Sequence, residues 1–292
     1  MCRLFGMASL ANSVAARFWL LDADDSLLVQ SHREPDGWGL GWYDPPTEPQ
    51  RFRDPRAAWQ DDDYTSTAAE ATSTRFIAHV RYASTGAVEE RNTHPFEQRG
   101  RMFAHNGVVS GLDLLRERLG PDLALVHGST DSELTFALLT SEIERANGDV
   151  AAGIIAAGTW IAEHLPVFAW NFVLITPSEL YALRWPARHE LWWLHRGAGG
   201  VHGSRTFMGS GMRHPLSVGS GDLVRTSAVV VASEPMDEDP GWQQLQSGEL
   251  LAVSAAGELS VQRVLAMSPR FELTEAELDA REVASQQGGI SP

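Results

Sequence analysis

Met1-Cys2-Arg3-Leu4-Phe5-Gly6 opens the chain and contains Cys2, the single cysteine among its 292 residues. Cysteine is small enough for the initiator methionine to be removed ahead of it, which would leave a thiol and a free α-amine on one residue. An α-amine titrates near pH 7.7–8.0, so roughly a tenth of it is neutral at pH 7 and able to accept the thiol proton. The opening stretch therefore predicts an N-terminal nucleophile that carries its own base.

Beyond this opening stretch, the sequence predicts more strands than helices. Strands are predicted at residues 3–9, 37–43, 75–82, 101–105, 169–176, 180–185, 191–194, 223–231, 250–253 and 259–264, and helices at 13–29, 134–145 and 151–163. Thr130 and Glu133 have the spacing of a capping box ahead of the second helix. Asn106-Gly107 and the two valines that follow predict a hairpin turn. This order of elements favours an α+β fold of two sheets packed face to face and covered by helices.

Glycines at alternate positions mark the strand predicted at 37–43, where Gly37, Gly39 and Gly41 alternate with large apolar residues. A strand threaded by glycine usually lies close to another backbone. The spacing lacks the dinucleotide fingerprint and opens no helix, so we expect close packing and no nucleotide at this strand.

The C-terminal residues differ in composition from the rest of the chain. From residue 273 onward glutamate, aspartate, serine and glutamine predominate, followed by Gly288-Gly289. Such polar sequence buries little apolar surface. We therefore expect one domain over residues 2–270, and an acidic C-terminal helix with a frayed tail over 271–292.

The charge balance excludes one class of partner. The chain has 38 acidic and 23 basic residues, every cation is an arginine, and the net charge is −15. A protein that follows nucleic-acid phosphates needs a basic surface, so nucleic acid is not an expected partner. Four histidines, His79, His94, His105 and His127, lack the close spacing of zinc ligands, and no metal or other cofactor is expected.

Cysteine usage and hydropathy bear on the compartment. A lone cysteine forms no intramolecular disulfide, which fits a reducing compartment. No signal peptide is predicted, and Glu163, His164 and Pro166 interrupt the longest apolar stretch. We expect a cytoplasmic protein that makes no contact with a membrane.

Four segments carry residues suited to amide chemistry. They are Met1-Cys2-Arg3-Leu4-Phe5-Gly6, His79-Val80-Arg81-Tyr82-Ala83-Ser84-Thr85-Gly86, Ala104-His105-Asn106-Gly107-Val108 and Gly128-Ser129-Thr130-Asp131-Ser132-Glu133. In this order they resemble the class II glutamine amidotransferases, in which an N-terminal cysteine precedes an Arg-aromatic-Ala-Thr/Ser segment, His-Asn-Gly, and an Asp after a Ser/Thr-rich turn. The resemblance implies the N-terminal-nucleophile hydrolase fold, a four-layer αββα sandwich of two antiparallel sheets, over about residues 2–265.

Amide cleavage passes through a tetrahedral oxyanion, and fixed donors aimed at that oxygen supply several kcal/mol of stabilisation. The side-chain amide of Asn106 and the backbone N–H of Gly107 are suitable donors. The resemblance assigns the oxyanion pair to these two residues and the nucleophile to Cys2. Taken alone, Asn-Gly is an ordinary turn signal.

Glutamine also presents an α-carboxylate and an α-ammonium. Arg81 can hold the carboxylate bidentately and Asp131 can accept from the ammonium, and the resemblance assigns them these roles. In isolation, Arg81 would be interpreted as a surface ion pair and Asp131 as a helix N-cap. Tyr82 and Ser84 stand where the family more often has tryptophan and threonine, and His94 lies in an Asn-x-His-Pro run that borders the family's substrate site.

The large synthases of this family carry a second catalytic domain of a few hundred residues, so this chain resembles the stand-alone branch, which includes the γ-glutamyl hydrolase of ergothioneine synthesis. Residues 35–43 and 232–242 resemble the same branch. The predicted substrate is glutamine or a γ-glutamyl small molecule. Either ammonia would leave for a synthase partner, or a γ-glutamyl-capped amine would be released. Residues 202–221 are either a site for a larger leaving group or ordinary turns. A non-catalytic binding or scaffold subunit is the alternative from another class.

Overall fold

The computed structural model of the chain describes residues 2–44, 47–199 and 225–287. The strands of these parts, in chain order, are β1 Arg3–Ser9, β2 Val14–Ala15, β3 Trp38–Asp44, β4 Glu48–Asp54, β5 Thr72–Ser73, β6 Arg75–Val80, β7 Phe96–Gln98, β8 Arg101–Val109, β9 Pro166–Ile175, β10 Leu180–Arg184, β11 Trp192–Arg196, β12 Ala228–Ala232, β13 Gln243–Gln244, β14 Glu249–Val253, β15 Leu259–Arg263 and β16 Phe271–Glu272.

The helices of the same parts are α1 Leu27–Gln30, α2 Asp62–Glu70, α3 Leu112–Leu119, α4 Asp131–Arg145, α5 Val150–His164 and α6 Ala280–Gln287. Short 3-10 turns lie at Ala58–Gln60, Glu90–Asn92, Gly120–Leu125 and Glu275–Glu277, and a π turn at Phe18–Asp22. None of the described helices combines the length and the apolar character that a membrane crossing requires.

Two sheets form the centre of the described fold. The first has the strand order β13-β11-β12-β1-β6-β3-β4 and the second the order β15-β14-β10-β9-β8-β7. Neighbours within both orders are antiparallel, and β16 adds a short parallel pairing at the start of β9. In β1 the side chains alternate as a strand requires: Leu4 and Ala8 face the second sheet, whereas Phe5 and Met7 face a helical layer.

Three apolar clusters separate four layers. The outer cluster of the first sheet includes Trp19 and Tyr64, the middle cluster joins Ile77 to Val173 between the sheets, and the outer cluster of the second sheet includes Phe136 on α4. Each sheet is therefore covered on both faces. The α+β prediction and the αββα sandwich are confirmed.

The predicted hairpin turn at Asn106-Gly107 is wrong. Strand β8 runs through both residues, and Asn106 and Gly107 pair with Asn171 and Trp170 of β9. Gly107 has φ +149°, and a Cβ there would clash with the Ala169 carbonyl oxygen. The Asn-Gly sequence that suggested a turn instead places a glycine where β9 leaves no room for a side chain, because long-range pairing outweighs local turn preference.

The predicted helix at 13–29 is wrong over most of its length. The segment contains β2, the π turn and only the first three residues of α1, which begins after its N-cap Ser26. Val14 pairs with Ser73, and Phe18, Trp19 and Leu20 are all buried by the fold. Because this irregular segment is buried on several sides, its apolar residues are spaced like those on one face of a helix.

The capping-box prediction for α4 is half correct. The backbone N–H of Glu133 donates to Thr130 Oγ1 at 3.2 Å, so Thr130 is the N-cap. The Glu133 carboxylate accepts from the backbone N–H groups of His127 and Gly128, and thereby stabilises the turn before the helix.

The close packing predicted for the glycine-threaded strand is also found. A Cβ on Gly39 would clash with the carbonyl oxygen of His94. The strand predicted at 223–231 lies partly outside the described residues, and its described part is β12. A helix follows residue 273, as α6, whereas the tail at 288–292 lies outside the described residues, and the domain boundary at residue 270 stays a prediction.

Candidate active site

A pocket of about 350 Å³, open mouth included, lies where the start of β1, the segment after β6 and the middle of β8 meet the beginning of α4. Its lining residues are Cys2, Arg81, Tyr82, Ser84, Thr85, His94, His105, Asn106, Gly107, Thr130, Ser132 and Ser285. Every residue predicted for the site lines this pocket except Asp131, whose two neighbours line it. Segments far apart in sequence are brought together because β1 lies between β6 and β12, and β8 packs against it from the second sheet.

The Cys2 thiol is held by the residue that follows Arg81. The backbone N–H of Tyr82 donates to Cys2 Sγ at 3.1 Å, and the thiol donates to the Tyr82 carbonyl at 3.2 Å. The register of β1 against β6, with Arg3 opposite Val80, fixes this proximity. Burial raises the pKa of Cys2 to about 11, and the charge of Glu34 adds to the increase. The thiol is therefore protonated at neutral pH and needs a base.

Glu34 is a functional candidate that the sequence analysis missed. Its side chain is fully buried, and its Oε1 lies 3.5 Å from Arg3 Nη1. Burial raises the pKa of Glu34 to about 7, against the opposing positive charges of the amino terminus, Arg3 and Arg33. A carboxylate at this place favours a positive charge beside the thiol. Nothing in the spacing of a single glutamate within a polar loop indicates that role.

Arg81 is buried, so its interpretation as a surface ion pair is wrong. Its Nη2 donates to the carbonyl of Thr85 at 2.8 Å and its Nη1 to that of Ala87 at 3.2 Å. Burial lowers the pKa of Arg81, although the negative charges of Cys2, Asp36 and Asp131 oppose the change. The guanidinium therefore orders the loop that forms one wall of the pocket.

Asp131 is the first residue of α4, and the N-cap is Thr130, so the N-cap interpretation of Asp131 is wrong. Its carboxylate is buried and accepts from Thr85 Oγ1 at 2.8 Å and from the backbone N–H of Val109 at 3.0 Å. These contacts connect the loop after β6 with β8. Asp131 thus lies directly behind the pocket wall.

The candidate oxyanion donors lie next to the candidate nucleophile Cys2. Asn106 Nδ2 donates to the carbonyl oxygen of Cys2 at 2.8 Å, and Gly107 follows it along the pocket wall. Because side chains alternate along β8, Asn106 faces the first sheet whereas His105 faces α4, where its Nδ1 lies 2.9 Å from Ser132 Oγ.

Two buried histidines lie between the sheets beneath the pocket. The rings of His79 and His94 have their centroids 4.2 Å apart, and none of the four ring nitrogens has a hydrogen bond of good geometry to the described residues. Burial lowers the pKa of His79 to about 3 and that of His94 well below its usual value. Both rings are therefore neutral at physiological pH, and His94 contributes an uncharged wall to the pocket.

Comparison with known proteins agrees with this geometry. A family model described as class II glutamine amidotransferases matches residues 1–277. The chain belongs to this family. The predicted family and enzyme class are thus confirmed, with the nucleophile candidate Cys2 at the chain start that the family requires.

Individual proteins also match the chain over most of its length. The gamma-glutamyl-hercynylcysteine sulfoxide hydrolase of Mycobacterium tuberculosis is 29% identical over 267 residues, which span 88% of this chain and 94% of that protein. The solved structure of a glutamine aminotransferase class-II domain protein from Silicibacter pomeroyi has a TM-score of 0.59 at 22% identity and covers 89% of this chain and 98% of that one. The glutamine phosphoribosylpyrophosphate amidotransferase of B. subtilis has a TM-score of 0.61 at 18% identity, over 91% of this chain and 50% of that one. The two structures show the shared fold.

In this class II glutamine amidotransferase, the segment after β12 holds β1, the strand that follows the candidate nucleophile Cys2. Ser233 Oγ accepts from the backbone N–H of Leu4 at 2.9 Å, and the Glu234 carboxylate accepts from Arg3 Nε at 2.7 Å. The sequence analysis associated this segment with the stand-alone branch and missed its contact with β1. The predicted leaving-group loop at 202–221 lies outside the described residues.

Proposed function

We propose that the chain is a glutaminase-type hydrolase that cleaves γ-glutamyl amides through a thioester on Cys2. One observation carries the proposal: the thiol of Cys2 is fixed by Tyr82 in the same pocket as the side-chain amide of Asn106, 2.8 Å from the Cys2 carbonyl. Acyl transfer requires at least a nucleophile and a donor for the oxyanion, and here the two sheets hold both in one pocket.

The mechanism begins with removal of Met1, which replaces the amide nitrogen of Cys2 with an α-amine. The neutral amine takes the thiol proton, and the thiolate attacks the γ-carbonyl carbon. Asn106 and the Gly107 N–H stabilise the oxyanion as the S–C bond forms. The α-ammonium returns its proton to the leaving amine as the C–N bond breaks. Water, deprotonated by the same α-amine, then attacks the thioester carbon. The C–S bond breaks, the α-ammonium returns its proton to Sγ, and glutamate is released.

Glu34 assists the proton transfer in this scheme. The α-amine must carry a proton between attack and departure of the amine, and a buried carboxylate nearby stabilises that charge. Its opposing effect on the Cys2 thiolate is offset once the ammonium is present, because the ion pair of thiolate and ammonium is neutral overall. Glu34 is thus a positioning and electrostatic residue for the base.

Recognition of the γ-glutamyl group uses the ends of the pocket. Arg81 pairs with the α-carboxylate, since a guanidinium has five donors and its hydrogen bonds to Thr85 and Ala87 use two of them. Asp131, directly behind the wall formed by Thr130 and Ser132, supplies the negative charge that attracts the α-ammonium. Tyr82, Ser84 and His94 shape the wall beside the thiol, and no cofactor takes part.

The leaving group is either ammonia, delivered to a synthase partner, or a larger amine. Similarity to the mycobacterial gamma-glutamyl-hercynylcysteine sulfoxide hydrolase across 94% of that protein favours the larger amine. The second candidate function is therefore a hydrolase of γ-glutamyl-capped metabolites. Rates on free glutamine and on a panel of γ-glutamyl amides distinguish the two.

A diazo-ketone analogue of glutamine tests the proposal directly. The mature chain should gain the mass of one analogue on Cys2, and a Cys2→Ala variant should gain none while keeping the same melting temperature. If the mature chain bound glutamate but acquired no adduct, the non-catalytic binding subunit would be the better account.

A further inference from the structure

Helix α6 returns from the end of the described chain to the active-site pocket. Ser285 is buried, with 3% of its surface exposed, and lines the pocket. The family model matches residues 1–277, so α6, at Ala280–Gln287, lies outside the matched part. This wall of the pocket is therefore additional to the framework that the family model describes.

The chain from β16 to α6 docks onto β8 and β9 through a backbone hydrogen bond and apolar contacts. Leu273 N–H donates to the Val167 carbonyl at 2.8 Å, which extends the pairing of β16 with β9. Leu278 and Val283 pack with Val108, Phe168 and Ala169. Val108 follows Gly107 along β8, so α6 rests on the backbone that presents the candidate oxyanion donor.

A capping box fixes the first turn of α6. Asp279 Oδ1 accepts from the backbone N–H groups of Arg281 and Glu282, both at 2.8 Å, and Glu282 Oε2 accepts from the N–H of Asp279 at 2.7 Å. Two reciprocal bonds of this kind hold the start of a helix in one orientation. Arg281 and Glu282 lie four and three residues before Ser285, so the three residues share the face of α6 that meets the pocket.

Both residues lie near a charge of their own sign. The cation of Arg281 contributes to the lowered pKa of Arg81, whose main cause is burial. The pKa of Glu282 is raised, first by burial and also by the charges of Asp279 and Asp131. A cation beside a cation and a carboxylate beside a carboxylate are unfavourable until a ligand of opposite charges lies between them. A zwitterion satisfies both sides at once.

We propose that α6 completes the end of the pocket that holds the α-carbon of the γ-glutamyl group, with Arg281 beside Arg81 for the α-carboxylate, Glu282 beside Asp131 for the α-ammonium, and Ser285 in the wall between them. The inference rests on the proposed γ-glutamyl site and adds selectivity to it. Because the helix closes this end, glutaminyl groups with an acylated α-amine or an amidated α-carboxylate are excluded.

The test measures how the diazo-ketone glutamine analogue labels Cys2 as a function of its concentration, which separates binding (KI) from the chemical step (kinact). The variants are Arg281→Gln and Glu282→Gln, the second of which keeps an oxygen acceptor for the capping box. Glu275→Gln, in the exposed 3-10 turn before α6, is the matched control for loss of one negative charge. We expect KI to rise about three- to tenfold in both α6 variants and kinact to change less than twofold, with the control equal to wild type.

Protection against labelling identifies the groups that each residue recognises. Glutarate lacks the α-ammonium and 4-aminobutyrate lacks the α-carboxylate of glutamate. Glu282→Gln should weaken protection by glutamate and by 4-aminobutyrate, but protection by glutarate should be unchanged. Arg281→Gln should weaken protection by glutamate and by glutarate, but protection by 4-aminobutyrate should be unchanged. If α6 had a merely structural role, each variant would weaken protection by all three ligands equally.

A bulky residue at the pocket wall gives an independent check. Ser285→Trp should abolish protection by glutamate, while a single cooperative melting transition shows that the variant is still folded. If wild type is not labelled, the proposed function fails. If wild type is labelled and the α6 variants keep its KI and its protection pattern, only the role of α6 is overturned.

Discussion

At the residue scale, the Cys2 thiol is subject to two opposing influences. Burial and the Glu34 carboxylate raise its pKa, while the Tyr82 N–H and the charge of Arg81 lower it. The outcome is a thiol that stays protonated in water at neutral pH. In the proposed mechanism its reactivity depends on the α-amine that removal of Met1 would uncover, and the Glu34 carboxylate, whose charge acts on the thiol, would also stabilise an ammonium there.

Replacing Glu34 with glutamine should lower the pKa of the Cys2 thiol, because a negative charge that opposes the thiolate is removed. The pH midpoint of Cys2 alkylation by iodoacetamide should fall by about one unit. Glu234→Gln is the control, since Glu234 also contacts Arg3 but is not among the charges that act on Cys2. An unchanged or higher midpoint in Glu34→Gln would refute the electrostatic assignment.

Replacing Asn106 with alanine should slow the chemical step, because its amide is assigned to the oxyanion. We expect kcat for γ-glutamyl amide hydrolysis to drop about 10²- to 10³-fold, with KM changed little. Steady-state kinetics supplies both constants. A large rise in KM with normal kcat would instead place Asn106 in substrate binding.

Replacing Asp131 with asparagine should have the opposite signature. Asparagine retains an oxygen that can accept from Thr85 or Val109, but it lacks the charge that pairs with the α-ammonium. KM for glutamine should rise about tenfold or more, and kcat should fall far less. Equal effects on both constants would contradict the separation of binding and chemistry between Asp131 and Asn106.

At the element scale, the strands were predictable where the local pattern reports burial. Residues 3–9 match β1 because small and apolar residues fill both covered faces. Asn106-Gly107 was misassigned because its pairing partner, β9, lies about sixty residues away and leaves no local trace. The site motifs were found through their resemblance to a family, whereas the positions of Glu34 and α6 near the site arise from tertiary packing, which no sequence spacing encodes.

Because β9 leaves no room for a side chain at Gly107, a substitution there should lower the free energy of unfolding. Gly107→Ala should destabilise the protein by more than about 2 kcal/mol, because it adds both a strained φ and a clash with the Ala169 carbonyl. Gly100→Ala is the matched control, since Gly100 also has positive φ (+73°) but a Cβ there meets nothing within 4 Å. Thermal melting should show a clearly larger loss for Gly107→Ala, and equal losses would count against the packing argument.

At the scale of the whole molecule, the sandwich places the pocket where its two sheets meet, with neutral histidines underneath. The pKa of His79 is lowered to about 3 by burial, followed by the charges of Arg81 and His105. An unfolded histidine titrates near pH 6.5. The unfolded chain therefore binds an extra proton below that pH, so the stability contribution is complete above pH 6.5 and is lost as the pH falls toward 3.

Acidification should accordingly destabilise the protein, with His79 contributing on the order of 1 kcal/mol per pH unit between pH 6 and 4. His79→Leu, which is similar in volume, should flatten the dependence of the unfolding free energy on pH. The exposed His164 provides the control as His164→Gln. Urea unfolding at several pH values measures the slope, and an unchanged slope in His79→Leu would contradict the assignment.

In the proposed mechanism, a free amino group on Cys2 makes the thiol reactive. The most direct measurement uses one preparation with an N-terminal extension that a site-specific protease removes up to Cys2, labelled with the diazo-ketone glutamine analogue before and after cleavage and examined by intact mass. We predict that an adduct on Cys2 forms only after cleavage, together with hydrolysis of γ-glutamyl amides. Equal labelling of the extended chain would show that the free amino group is not needed for the reactivity of Cys2.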